Sequence, residues 1–429
     1  MIAAFQATVR KPLSWRDPLA VANGLRDRDG LAALLSDGAY GRRSWVSAEP
    51  DHVHVGPIET LSLLDKPALA QGVIGLLAYD AGARVATGPR EQIWPDLMLA
   101  RYPAILAFDH DEQTVTAIGR GVDTAAAEAA IMRAEAWLAD AVEPIFERPP
   151  AQAFAAEAPD QTYLSAVADV VERIAAGDLF QANIARAWSG TLHPDAQPFA
   201  VLARLAGRAS AYGAYLRLGD RALVSNSPEL FLAFDAATRR IETRPIKGTR
   251  PRDADPARDA DLAADLAASA KDRAENLMIV DLMRNDLSRV AEPGSVHVRD
   301  LFDLERHPTV HHLVSTVQGT ARADVTPARI LAETFPPGSI TGAPKHQAMK
   351  VIAAHEAPRG PWCGTLFRLD DDGLTASVLI RTASFEKHDG DWSFRTLAGA
   401  GIVADSDPAS ELAETEAKVR ALREALSEP

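Results

Sequence analysis

Short apolar runs bounded by glycine, proline or acidic residues recur along this chain without regular alternation with helices. Residues 73–80, 104–109, 222–225, 230–234 and 375–381 all read as strands. A parallel sheet would need a crossover helix between successive strands, so the pattern predicts an α+β fold of antiparallel sheets flanked by helices. Helical spacing is clearest at 125–142, with Ile131, Ala134 and Leu138, and again after Asp160, which offers an N-cap. There Tyr163, Val167, Val170, Val171 and Ile174 form a stripe, and Gly177 suits the left-handed end. Residues 179–186 then alternate like a strand with one polar face. Pro144, Pro149, Pro150 and the stretch 151–159 interrupt the periodicity, so a boundary is predicted between regions 1–145 and 158–429.

A chain of 429 residues exceeds one simple core. Its formal charge, 45 − 59 = −14, argues against a nucleic-acid binder, which needs a basic face. With the single cysteine Cys363, neither a disulfide nor a cysteine-zinc site can be built within the chain. No cationic segment followed by an apolar one opens the sequence, and no run approaches the ~20 apolar residues of a membrane span. The expected location is therefore the cytoplasm.

Three apparent motifs fail on context. Residues 399–404 fit G-x-G-x-x-A, but they continue as strand instead of opening a helix. Residues 338–345 lack the Gly-Lys pair of a phosphate loop, and His311-His312 lacks the spacing of a helical zinc site. Two acidic helices are more informative. Asp272 and Glu275 lie three residues apart in 270–287; Glu411 and Glu414 repeat the spacing, with Lys418 four further on. Asp407 can cap the second helix and Pro408 suits its first turn. Two readings stand: solvated helix faces, or carboxylates gathered around a cation such as Mg²⁺, which prefers oxygen ligands.

These helices belong to a longer ordered set: Ser227-Pro228-Glu229, Pro245-Ile246-Lys247-Gly248-Thr249, residues 272–287, 310–315, 337–345 and 398–402, and Glu411-x-x-Glu414-Thr415-x-x-Lys418. From Gln161 onward the chain resembles the chorismate-utilising enzymes: anthranilate, aminodeoxychorismate, isochorismate and salicylate synthases. The N-terminal part is a looser match, through residues 44–50 and 75–80. The resemblance implies the chorismate-binding fold, in which large antiparallel sheets face each other with helices outside. It also implies Mg²⁺ bridging the substrate's ring carboxylate to ligands drawn from Asp272, Glu275, Glu411 and Glu414. Substrate contacts would come from Gln181, Gly248, Thr249, Thr341, Arg381, Gly399, Ala400, Gly401 and Lys418. An arginine fork suits a carboxylate, and glycines admit close backbone approach; a surface residue ending a strand is the other reading of Arg381.

In the same resemblance Glu229 protonates the C4 hydroxyl as it leaves, helped by burial near Phe231. His312 matches an active-site histidine, against the plainer reading of a buried structural imidazole. Lys247 separates the branches, because most carry alanine there and the aminodeoxychorismate synthases carry lysine. Amination at C4 with retention takes two inversions, so a neutral lysine would add at C2 before ammonia attacks C4; simple neutralisation of a substrate carboxylate is the alternative. Gln181 stands where isochorismate-forming members place a lysine base, and an amide cannot deprotonate water. Trp362 stands where tyrosine is usual. No glutaminase Cys-His-Glu unit accompanies these motifs, so the resemblance implies a separate glutamine amidotransferase subunit as the ammonia source.

Overall fold

The computed structural model describes residues 2–428 apart from 37, 39–41, 146–147 and 209. Two large antiparallel sheets organise it. The first, 12-stranded, runs from Ala7–Ser14 at one end to Gly342–Ala343 at the other; the second, 10-stranded, has His52–Gly56 at one edge. Pairing crosses the proline-rich segment in both sheets. Ala32–Leu35 joins Tyr212–Leu218 in the first, and Val73–Leu77 joins Thr365–Asp370 in the second. Segments from both sides of 145–158 thus share each sheet.

The sheets face each other across shared apolar cores. Ile74, Leu76 and Leu366 of the second sheet meet Ala214, Leu216 and Leu223 of the first. Helices cover the outer faces. The stripe on Asp160–Ala175 packs with Lys345–His355 on Ala182, Ile184, Ala400 and Ile402. Full burial of Val167 and Val170 contributes about 1.5–3 kcal/mol each. On the second sheet, Ile279, Val280, Met283 and Leu287 of Ala270–Ser288 join the cluster containing Ile241 and Val317. Among the described residues no helix is long and apolar enough to cross a membrane.

Three local expectations change. The strand expected at 73–80 ends at Leu77, and Tyr79 begins the helix Tyr79–Thr87, where the Asp80 carboxylate accepts the Gly360 N–H at 2.7 Å. Pro159, not Asp160, is the N-cap of the next helix; Asp160 turns instead to Arg186. The strand expected at 375–381 stops at Val378, and the chain bends at Arg381 (φ 50°) before Thr382–His388 begins. That bend carries the chain from the second sheet to the first.

Candidate active site

Residues 240–251 run along one side of Val310–Thr320, with Thr249 opposite His312. Gly248 adopts φ 87°, and a Cβ there would stand 3.0 Å from the Asp272 side chain. Glycine at this point lets the helix Ala270–Ser288 lie directly on the strand. Lys247, next to it, reaches across to the other sheet. Its Nζ lies 3.1 Å from the position a Cβ on Gly401 would take, and the Gln181 amide nitrogen lies 3.2 Å from the same point. By area Lys247 is half-buried, yet its ammonium is closely surrounded. Burial pushes its pKa below the ordinary lysine range, while Glu275 pulls the other way. Among the described residues Nζ makes no hydrogen bond.

Glu229 precedes the strand Leu230–Asp235 and is 4% exposed. Burial raises its pKa to about 7, although Ser339 Oγ donates to the carboxylate at 2.5 Å and favours its ionised form. His312 is buried with Nδ1 2.9 Å from Thr249 Oγ1; desolvation, then Arg381, brings its pKa down to about 3, so the imidazole is neutral. The Arg381 guanidinium has neither a carboxylate nor another hydrogen-bond partner among the described residues, and burial lowers its pKa. An enclosed, unpaired cation is costly unless a ligand anion completes it.

Gly399 and Gly401 turn toward this space, while Ala400 faces the helix-covered side and can offer only its backbone. Pairing of their strand with Thr382–His388 ends at Thr396, leaving one edge of 398–402 without that neighbour. Lys418 donates to the Gly399 carbonyl at 2.8 Å and pairs with Glu414 at 2.6 Å. Thr341 is committed internally: its hydroxyl donates to the Pro337 carbonyl at 2.8 Å, and its own carbonyl takes the Asn183 N–H.

The four carboxylates are close enough to influence one another, Asp272 and Glu414 acting on Glu275 and Glu414 on Glu411, and of the four it is Glu275 and Glu414 that act on Lys247. Asp272 is also 3.2 Å from Arg250, and Glu411 accepts from Ser406 at 2.7 Å. Burial raises the pKa of Glu275; at Glu414 desolvation is the largest single influence, but Lys418, Lys247 and Lys271 together outweigh it and the pKa falls. Among the described residues no three His, Cys, Asp or Glu side chains are grouped as a ready-made metal site. Glu275 and Glu414, near enough to influence each other, nevertheless fit Mg²⁺, which commonly takes one or two carboxylates from the protein and completes its shell with water and substrate oxygens.

Sequence reasoning missed the frame behind these groups. Ser339 lies inside the 337–345 motif, so position alone could have raised it. The Arg359 guanidinium sits 4.7 Å from the Tyr79 ring and 5.0 Å from the Trp362 ring, and donates to the Asn183 carbonyl at 2.6 Å. No local pattern announces that arrangement. Asn183 Oδ1, beside Gly399, and Trp362 Nε1 are buried without hydrogen-bond partners among the described residues.

Comparison with known proteins gives a consistent result. The family described as chorismate binding enzyme matches residues 43–424. Aminodeoxychorismate synthase component 1 of Klebsiella aerogenes is 40% identical over 357 residues, covering 81% of this chain and 75% of that protein. Anthranilate synthase component 1 of Thermus thermophilus is 38% identical over 371 residues, covering 84% and 79%. MenF, the menaquinone-specific isochorismate synthase of Escherichia coli, superposes with a TM-score of 0.78 over 98% of this chain and 94% of its own. At 20% identity that likeness is one of fold.

Proposed function

The chain belongs to the chorismate-binding enzyme family, and on that premise we propose that it acts as an aminodeoxychorismate synthase component 1, aminating chorismate at C4. The observation that carries this reading is the unpartnered Lys247 amine, enclosed opposite Gly401 and under the influence of Glu229. An enclosed lysine held toward its neutral form is a nucleophile.

Lys247 Nζ forms a bond to C2 as both conjugated ring double bonds shift by one position and the C4–O bond breaks. Glu229 supplies the proton with which the hydroxyl departs as water. Ammonia then bonds to C4, both double bonds shift back, and the C2–N bond breaks to release the lysine. The surplus proton returns to Glu229, so chorismate and ammonia become 4-amino-4-deoxychorismate and water. Arg381 and the open backbone edge at 398–402 suit the substrate's carboxylates, and the neutral His312 can donate a hydrogen bond without carrying charge. Mg²⁺, held by Glu275 and Glu414, would neutralise a substrate carboxylate. The ammonia would come from a glutamine amidotransferase partner.

Product analysis with chorismate, ammonium and Mg²⁺ tests the reading. A C4 amine that needs a separate lyase to become aromatic is expected; direct appearance of fluorescent anthranilate would overturn it. Glu275→Ala and Glu414→Ala should each weaken magnesium binding by calorimetry at least tenfold, and full activity in chelator would remove the metal from the account. Gly401→Ala should leave the fold intact, because its Cβ would meet only the flexible ends of Lys247 and Gln181. Turnover should nonetheless fall by about a hundredfold through displacement of the nucleophile, as measured by steady-state kinetics.

A further inference from the structure

Gln181 is fully buried, yet among the described residues neither Oε1 nor Nε2 has a hydrogen-bond partner. Its side chain shares the inner face of the strand Gln181–Thr191 with Asn183, while Ala182 and Ile184 turn to the helices. The amide therefore points at the space over Gly401, where Nε2 and Lys247 Nζ lie 3.2 and 3.1 Å from one point. Two unpartnered polar groups converge there. A buried amide with both atoms unpaired destabilises the empty fold, and an apolar side chain of similar volume would pack without that penalty.

We propose that Gln181 is a positioning residue for Lys247. Its amide oxygen accepts one N–H of the neutral lysine amine and so aims the nitrogen lone pair at C2 of the substrate. Rotation about the last side-chain torsion exchanges the two amide atoms, which brings the oxygen to the place nearest the amine. The amide carries no charge and cannot take the proton, so it orients the amine without competing as a base. The bond-forming step is the one given above, and this proposal rests on that covalent reading.

The test uses the full chain with Mg²⁺ and chorismate, without ammonia, and follows the adduct on Lys247 by rapid quench and mass spectrometry. Gln181→Leu is expected to slow adduct formation at saturating chorismate by about a hundredfold. It should also raise Tm, because the unpaired amide is gone. In a Lys247→Ala background, adding Gln181→Leu should change chorismate affinity by less than about twofold, since the amide acts through the lysine. Should leucine strain the strand, Gln181→Met offers an unbranched apolar chain of similar length. An unchanged adduct rate overturns the proposal, and so does a tenfold loss of chorismate affinity in the Lys247→Ala background, which would put Gln181 on the substrate itself. Absence of any adduct in the unaltered chain overturns the covalent reading and this proposal together; a normal adduct in both chains overturns this proposal alone.

Discussion

Lys247→Ala is expected to lower C4 amination of chorismate by about a thousandfold or more, equivalent to about 4 kcal/mol of transition-state stabilisation. Among the described residues the nearby amines are engaged elsewhere, Lys271 lying 4.0 Å from Glu275. Lys418 is committed to the Gly399 carbonyl and to Glu414, and Gln181 is not nucleophilic. Lys247→Arg separates two meanings of the loss. A guanidinium keeps the positive charge but stays protonated, so it should be as inactive as alanine if the lysine is a nucleophile. It should retain much of the activity if the lysine only neutralises a substrate carboxylate. Steady-state amination with ammonium, alongside chorismate binding, distinguishes the two. Fold integrity is not expected to suffer, because Nζ makes no hydrogen bond among the described residues.

Glu229→Gln carries the second large effect, a fall of about 10²–10⁴ in the adduct-forming step. The acid form is the useful one, and burial sets the Glu229 pKa at about 7. The rate of this step should therefore decline as pH rises through about 7, where the proton is lost. That declining limb should be absent in Glu229→Gln. Ser339 donates to the carboxylate and favours ionisation. Ser339→Ala should thus raise the Glu229 pKa and move the limb to higher pH. Rapid-quench rates across pH check both shifts, and a limb that survives in Glu229→Gln would assign the acid elsewhere.

Local signals carried the helices well. Asp407 caps Pro408–Ser427, with Pro408 in its first turn as its sequence indicates, and Ser269 starts the helix bearing Asp272 and Glu275. Strand partners were less legible because they are distant. Nothing near Val73–Leu77 announces its pairing with Thr365–Asp370. The overrun at 375–381 has the same origin: an apolar run ending in arginine reads as a strand, and the bend at Arg381 arises from the crossing between sheets.

Within the site, spacing singled out the two acidic helices and the family resemblance singled out Glu229 and Lys247, but neither gave the division of labour among the carboxylates. Spacing treats Asp272 and Glu275 alike. The structure gives Asp272 to Arg250, whereas Glu275 faces Lys247. Likewise Ser339 reaches Glu229 across 110 residues of sequence, so the contact that tunes the acid has no local signature. Glycine was the more readable signal. Gly248, at positive φ, marks a place where a Cβ would collide with Leu266, and Gly401 one where a Cβ would press on the Lys247 amine.

Mass spectrometry of the chain quenched with chorismate and Mg²⁺, without ammonia, tests the covalent role of Lys247 most directly. A mass increase equal to chorismate less one water is expected, mapped to the peptide bearing Lys247 and discharged as 4-amino-4-deoxychorismate when ammonia is added. An unmodified Lys247 in a chain that still aminates C4 at its full rate would contradict it.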